Sequence, residues 1–336
     1  MTAREERQRG GDHSTDMSTR PQLTVRGLAK RFGSDFAVAD IDLTVGSDEV
    51  VALLGPSGCG KTTVLRCIAG VETPDSGEIR IDDTLVFGDG VSTRPENRDV
   101  GMVYQNYAIW PHMTVAENVR FPLRHADHGI PRSEFDDRVR EILELLQIES
   151  LADSPATDLS GGQKQRTALA RSLVHDPELL LLDEPLSNLD SELRKHTRHE
   201  LQRIQRELGI SMLYVTHDQE EAFYLADRVL VMNDGAVVEA GRPRALYDRP
   251  ESPFTRQFLG VRNHIAGHIE ESADGDAVVR TDVVDFRLGN ADYVTDGGGS
   301  DSVMCFLRPD DITIGQFGAD ADGRIELTGT VVAEGV

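Results

Sequence analysis

From Leu23 onward, short runs of consecutive apolar residues alternate with stretches whose apolar positions recur every three or four residues. An unbroken apolar run suits a strand buried on both faces, and the longer spacing suits a helix lying against it. Glu49 to Leu54 reads as such a strand, followed by a helix over Lys61 to Ala69. Leu179 to Leu182 and Ser211 to Val215 read as two more buried strands. Strands alternating with helices predict an α/β fold built on a parallel sheet. Between them Val139, Ile142, Leu143, Leu145 and Leu146 keep helical spacing, which predicts a helical insert over about 106–175.

The pattern changes at both ends. Residues 1–21 have no apolar periodicity and read as a disordered leader, with Met1 and Met17 both open as the start. The α/β body covers 22–245 and a linker 246–261. Over 262–336, short strand-like runs (Ala277 to Arg280, Ser302 to Phe306, Arg324 to Val332) are broken by Gly- and Asp-rich turns. These predict a small all-β domain that stops in mid-strand at Val336 and so looks incomplete.

Charge narrows the class. Asp and Glu number 58 against 35 Lys and Arg, a net charge of −23 over 336 residues. Nucleic-acid backbones and anionic bilayers select basic surfaces, so a sequence-wide footprint for either is excluded. No run approaches the length of a membrane-spanning helix. Three cysteines, Cys59, Cys67 and Cys305, are too few and scattered for a disulfide framework or a zinc cluster, as expected in a reducing compartment. Only four lysines occur, Lys30, Lys61, Lys164 and Lys195. Lysine depletion under so large an acidic excess favours a halophilic cytoplasm, where salt screens carboxylate repulsion, over an ordinary solvated surface.

Gly55-Pro56-Ser57-Gly58-Cys59-Gly60-Lys61-Thr62 satisfies the phosphate-loop pattern, with Thr63 next in line. Its glycines let backbone N–H groups wrap a phosphate chain, Lys61 supplies a point charge, and Thr62 offers a hydroxyl to Mg²⁺. A strand leads in and a helix follows, which puts the anion at a helix N-terminus. The competing reading, a glycine-rich turn before a core helix, is weak: the pattern arises by chance in roughly one chain of this length in a hundred.

Leu179 to Leu182 runs into Asp183, Glu184 and Pro185, delivering two carboxylates at a strand's C-terminal end, where α/β sheets bind ligands. Asp183 suits Mg²⁺ through its water shell, and Glu184 suits a general base acting on water. Alone, an acidic strand end is often only solvated; beside a phosphate loop it is a strong signal. Leu159-Ser160-Gly161-Gly162-Gln163 opens a clean helix with Ser160 as N-cap. Its glycines leave backbone N–H groups open, which suits a second anion site at a helix N-terminus, but by itself the segment is better read as an ordinary capped helix.

Together, and in this order, these motifs resemble the nucleotide-binding domain of ABC-type ATPases, over about residues 23 to 260. In that family Leu159 to Gln163 corresponds to the signature motif. The resemblance implies that Phe32 stacks on adenine, where the family more often has Tyr or Trp. It further implies that Gln105 touches Mg²⁺ and links the core to the helical insert, and that His217 is a switch near the γ-phosphate. Ser187, Asn188, Leu189 and Asp190 would form the loop through which two such domains communicate. It implies a second copy as partner: the phosphate loop of each meets the signature of the other, closing two ATP in a head-to-tail dimer reopened by hydrolysis at Glu184.

The remaining motifs resemble those of importer subunits. Phe306-Leu-Arg-Pro-Asp310-Asp-Ile is similar to a motif of the small OB-like TOBE domain, with Gly241 to Gly260 as the bridge into it. The stretch from Tyr107 through Trp110 and His112 to Val115 resembles the loop found in importers of polyamines, ferric iron, sugars and oxyanions. Tyr107 and Trp110 are read either as core of the insert or as an exposed docking surface. The implied partners are a membrane permease and, indirectly, a solute-binding protein, with the chain peripheral on the cytoplasmic face. The alternative is a soluble ABC ATPase of DNA repair or translation. Repair types insert a long coiled coil between Lys61 and Ser160, and translation types carry two phosphate loops where this chain has one.

Overall fold

The computed structural model describes residues 21–125 and 129–260 in full, and beyond them the backbone of four tail strands. The leader, and Arg324 to Val332 in the tail, lie outside the described residues. The chain divides into two compact units, 1–252 and 253–336.

The first unit opens with two long strands, β1 (Pro21–Phe32) and β2 (Asp35–Gly46), then β3 (Val50–Leu54) and helix α1 (Lys61–Ala69). Three short strands follow, β4 (Ser76–Ile81), β5 (Thr84–Gly88) and β6 (Val91–Ser92), and then β7 (Val100–Val103). The helical insert holds α2 (Val115–Arg120), α3 (Phe135–Leu145) and α4 (Gly161–Leu173), with two 3₁₀ turns in each connection. The chain returns through β8 (Leu179–Asp183), α5 (Ser191–Leu208), β9 (Ser211–Thr216), α6 (Gln219–Leu225), β10 (Arg228–Asn233), β11 (Ala236–Gly241) and α7 (Pro243–Asp248).

The central sheet has the order β11-β10-β3-β9-β8-β7, parallel except for the β10–β11 edge pair. Every residue of β3, β8 and β9 is buried. The side chains alternate between two cores: Leu180, Leu182, Met212 and Tyr214 pack with the insert helices and α5, while Leu179, Leu181, Leu213 and Val215 pack with α1. That two-sided burial is why these strands read as unbroken apolar runs.

A second sheet, β2-β1-β4-β5-β6, is wholly antiparallel. The sequence reading, a parallel sheet alone, omits it. It contributes Leu23, Val25, Ile41 and Ile79 to the α1 core, so α1 is buried between the two sheets. The last turn of α1 is closed by Arg98, itself buried, which donates to the carbonyls of Cys67 (2.8 Å) and Ile68 (2.9 Å). A guanidinium at a helix C-terminus pairs the otherwise open Ile68 carbonyl, adds a second donor to that of Cys67, which also accepts the Gly70 N–H, and meets the negative end of the dipole.

The second unit starts with α8 (Pro253–Phe258), so the stretch 246–261 is in large part helical. Its four strands, β12 (Asn263–Glu271), β13 (Ala277–Thr281), β14 (Phe286–Leu288) and β15 (Ser302–Leu307), form an antiparallel sheet of order β14-β13-β12-β15. No helix of the described residues is long and apolar enough to cross a membrane.

Candidate active site

The loop between β3 and α1 is held close to its neighbours by glycines. A Cβ on Gly55 would lie 2.3 Å from the Met232 carbonyl oxygen, and one on Gly60 would lie 2.2 Å from that of Ala37. Gly60 also has φ +103°, a conformation that L side chains rarely adopt. As N-cap it leaves α1 without a side-chain cap. Helices α2, α4, α5 and α6 are all capped, by Thr114, Ser160, Asp190 and Asp218. The start of α1 thus presents open N–H groups and the positive end of the dipole, the arrangement that binds phosphate.

Lys61 is buried, and its ammonium donates to the carbonyls of Gly55 (2.8 Å) and Pro56 (2.9 Å), centring a positive charge over the loop. Ser57 and Gly58 form the exposed tip, Pro56 and Thr63 are half-buried, and Cys59 is buried beneath. Burial pushes the Cys59 thiol up against the opposing pull of Lys61, so it stays neutral.

The acidic end of β8 faces this loop. Thr62 Oγ1 donates to Asp183 Oδ1 at 2.8 Å. Burial raises the Asp183 carboxyl above its ordinary value, although Thr62, Arg66 and Lys61 pull it back. A buried carboxylate that lacks enough countercharge, beside a hydroxyl, is a hard oxygen pair suited to Mg²⁺.

At Glu184 the chain turns with φ +43°, while its N–H is held by the Val215 carbonyl at 2.9 Å. The turn takes the carboxylate off the strand line toward His217, whose Nδ1 lies 3.0 Å from Glu184 Oε2. The Gln105 amide donates to the same oxygen and to Ser187 Oγ, both at 3.4 Å. Asn188 Nδ2 donates to the Gln105 carbonyl at 2.7 Å. Residues 105, 183, 184, 187, 188 and 217, far apart in sequence, therefore meet at one edge of the sheet.

The signature residues stand elsewhere. Ser160 and Gln163 form a reciprocal capping box on α4, and Leu159 is buried. Gly161 and Gly162 lie against Leu189 and Leu193, so the signature rests on the loop ending at Asp190, the N-cap of α5. Among the described residues no hydrogen bond joins 159–163 to the phosphate loop. Phe32 is 53% exposed, with the Lys30 ammonium 5.4 Å from its ring centre, a free aromatic face at the β1–β2 hairpin. Tyr107 belongs to the insert's core, whereas Trp110 is half-buried between the Arg171 guanidinium (4.7 Å) and the Phe121 ring (4.1 Å). The core reading holds for Tyr107, while Trp110, packed on one insert residue and one guanidinium, is neither core nor freely exposed.

Sequence reasoning misses the residues that hold these loops. Arg171 donates to the carbonyls of Tyr107 (2.9 Å) and Ala108 (2.6 Å). Asn118, fully buried, bonds both the N–H and the carbonyl of Trp110. Glu221, also buried, accepts from Tyr214 and Thr216. The one sequence signal for them is a polar residue within a buried helical stripe, such as Arg171 beside Ala168, Leu169 and Leu173.

A parallel sheet that feeds an uncapped, glycine-lined helix start, with paired carboxylates on the next strand but one, defines a P-loop nucleoside triphosphatase. The family model for ABC transporters matches residues 38–187. The chain is 43% identical over 294 residues to the spermidine/putrescine import ATP-binding protein PotA of Marinobacter nauticus, covering 87% of this chain and 76% of that one. It is 41% identical over 307 residues to the Fe(3+) ions import ATP-binding protein FbpC of Escherichia coli O157:H7, covering 91% and 83%. Among solved structures, the dimeric post-hydrolysis state of the ATP-binding cassette MJ0796, bound to ADP and Pi, superposes with a TM-score of 0.58 at 30% identity, covering 66% of this chain and 99% of that one. The chain belongs to the ABC transporter family, as an ATP-binding, ATP-hydrolysing subunit of the import type.

Proposed function

We propose that two copies of the chain close head-to-tail around two ATP, and that hydrolysis drives solute uptake through a separate membrane permease. One observation carries the reading: the uncapped start of α1 and the Glu184–His217 pair converge on the same sheet edge. In each copy Gly55 to Thr63 would wrap the phosphates, with Lys61 on the β and γ groups and Phe32 stacked on adenine. Thr62, Gln105 and Asp183 would hold Mg²⁺, which would neutralise charge on the phosphates. Glu184 would take a proton from the attacking water while His217, held at 3.0 Å, fixes its orientation and contacts the γ-phosphate.

Leu159 to Gln163 would meet the other copy's nucleotide. The separation of these residues from their own phosphate loop supports this, since one copy alone leaves each site without its second wall. Ser187 to Asp190 would carry the state of one site to the other. The half-buried Trp110 and the loop around it would face the permease, placing the chain on the cytoplasmic side of the membrane as a peripheral subunit. A solute-binding protein would deliver cargo to the permease. Relatives named for polyamine and ferric-iron import support the importer class over repair or translation and leave the cargo open between them. We extend the reading to a TOBE-type domain over 262–336, consistent with an antiparallel sheet there, and to a halophilic source, supported by the net charge of −23.

The test is light scattering of purified Glu184→Gln with and without MgATP in high salt. A dimer only with MgATP, and none for Ser160→Arg carrying the same change, is the expected result. ATP binding without any dimer would overturn the head-to-tail reading.

A further inference from the structure

Arg194, in the first turn of α5, is used by none of the roles above, yet its guanidinium reaches two loops that are. Its Nη2 donates to the Leu189 carbonyl at 3.1 Å, within the loop Ser187 to Asp190. Its Nη1 donates to Asp218 Oδ2 at 3.3 Å, immediately after His217. Its Nε is buried without a hydrogen bond, 3.8 Å from Glu221 Oε1.

The acceptors divide their oxygens so that each has one for Arg194. Asp218 spends Oδ1 on the N–H groups of Glu220 (2.8 Å) and Glu221 (3.2 Å) and leaves Oδ2 to Arg194. Glu221 spends Oε2 on Tyr214 (2.9 Å) and Thr216 (2.8 Å), so Oε1 is the oxygen that faces the free Nε. Thr216 Oγ1 in turn accepts the Asp218 N–H at 3.0 Å. His217 is thus pinned on both sides, by Thr216 through Glu221 and by Asp218 through Arg194. The same guanidinium holds the backbone of Leu189, whose side chain lies under Gly161 of the signature.

We propose that Arg194 is a positioning residue that couples the Leu189 loop to His217, so that docking of a second copy on that loop sets the histidine for hydrolysis. The proposal rests on the reading of Glu184 and His217 as the hydrolytic pair. A rigid, planar fork can hold a carbonyl and a carboxylate at once, which a lysine ammonium cannot do at the same spacing. The unspent Nε gives the fork a second setting: a small shift of the loop brings it within hydrogen-bond reach of Glu221.

The experiment is a double-mutant cycle on turnover with Arg194→Gln and His217→Ala, beside the wild type. If Arg194 acts through His217, Arg194→Gln lowers kcat by about tenfold or more with KM for ATP within about twofold. The double variant is then no slower than His217→Ala alone, and Arg194→Lys recovers only part of the loss. Multiplicative losses in the double variant, or an unchanged kcat in Arg194→Gln, overturn the proposal. Should Arg194→Gln not fold, Arg194→Lys in the same cycle decides by the same criterion. A wild type that turns over while the cycle is multiplicative removes this proposal alone; a fully active Glu184→Gln removes the hydrolytic reading beneath it.

Discussion

Thr62 Oγ1 donates a 2.8 Å hydrogen bond to Asp183 Oδ1, tying the first turn of α1 to the end of β8. The bond does not repay the cost of burying that carboxylate, since Asp183 titrates above its ordinary value with burial as the leading cause. Its folded pKa therefore exceeds its unfolded one, and the folded protein holds the proton longer. Stability falls as pH rises through the window from the unfolded to the folded value, and the cost is complete above it. Asp183→Asn should then raise the melting temperature of nucleotide-free protein at neutral pH. The gain should vanish as pH falls below the Asp range, and ATP turnover should be lost. Thermal melts from pH 3 to 8 check the sign; a variant less stable than wild type at pH 7 would refute it.

Glu184→Gln keeps a side chain of the same size beside His217 but cannot accept a proton. Removal of a positioned general base typically costs 10²–10⁴ in rate, so turnover should drop by about that factor while ATP affinity stays near wild type. Steady-state hydrolysis and equilibrium binding with labelled ATP separate the two. His217→Ala should lose turnover to a smaller extent, because the carboxylate that accepts the proton remains, although its orientation is freed and the contact to the γ-phosphate is lost.

Arg98 closes the helix that carries Lys61 and Thr62. Replacement by Met leaves the Ile68 carbonyl without its donor inside the core and the Cys67 carbonyl with the Gly70 N–H alone (3.2 Å), and it removes the bond from Arg98 Nε to the Thr93 carbonyl at 2.9 Å. The loss should be about 4 kcal/mol, since three hydrogen bonds from a charged group at ~1.5–3 kcal/mol each are lost while relief from burying the guanidinium offsets part of that. Chemical denaturation should show that drop with the m-value unchanged. Gly70→Ala should act in the same direction, because its Cβ would sit 2.5 Å from Arg98 Nε at φ +79°.

These residues mark the boundary of what the sequence reveals. The runs in β3, β8 and β9 are legible because burial on both faces makes every position apolar. The phosphate loop is legible because its chemistry needs contiguous residues. The β1–β2 hairpin is not, since its positions alternate irregularly between buried and exposed around several register shifts. Arg98, Arg171 and Arg194 are invisible for another reason. Each answers a carbonyl or carboxylate at a place set by tertiary folding, as Arg171 does for Tyr107, 64 positions away. The Glu184–His217 approach is likewise a product of two neighbouring parallel strands, which the separate motifs only foreshadow.

Trp110 is the sole tryptophan of the chain, so its fluorescence reports one loop. That loop runs through Tyr107 (φ +63°) and Ala108 (φ +46°), left-handed residues that cost on the order of 1–3 kcal/mol each unless their surroundings hold them. Arg171 holds both carbonyls and covers the Trp110 ring. Burial lowers its guanidinium to about 10, which still leaves it cationic at neutral pH. Arg171→Leu keeps an apolar stem but removes every donor, so the two residues should relax toward ordinary φ and release the indole from its stack. Emission should shift to longer wavelength and acrylamide quenching should rise about twofold or more, since a half-buried indole that loses both its cation–π partner and its clamp gains solvent contact. The phosphate loop takes no part in these contacts, so the ATP dissociation constant should stay within about threefold of wild type, under 1 kcal/mol. Unchanged quenching in Arg171→Leu would show that Asn118, with its bonds to the N–H and carbonyl of Trp110, holds the loop unaided.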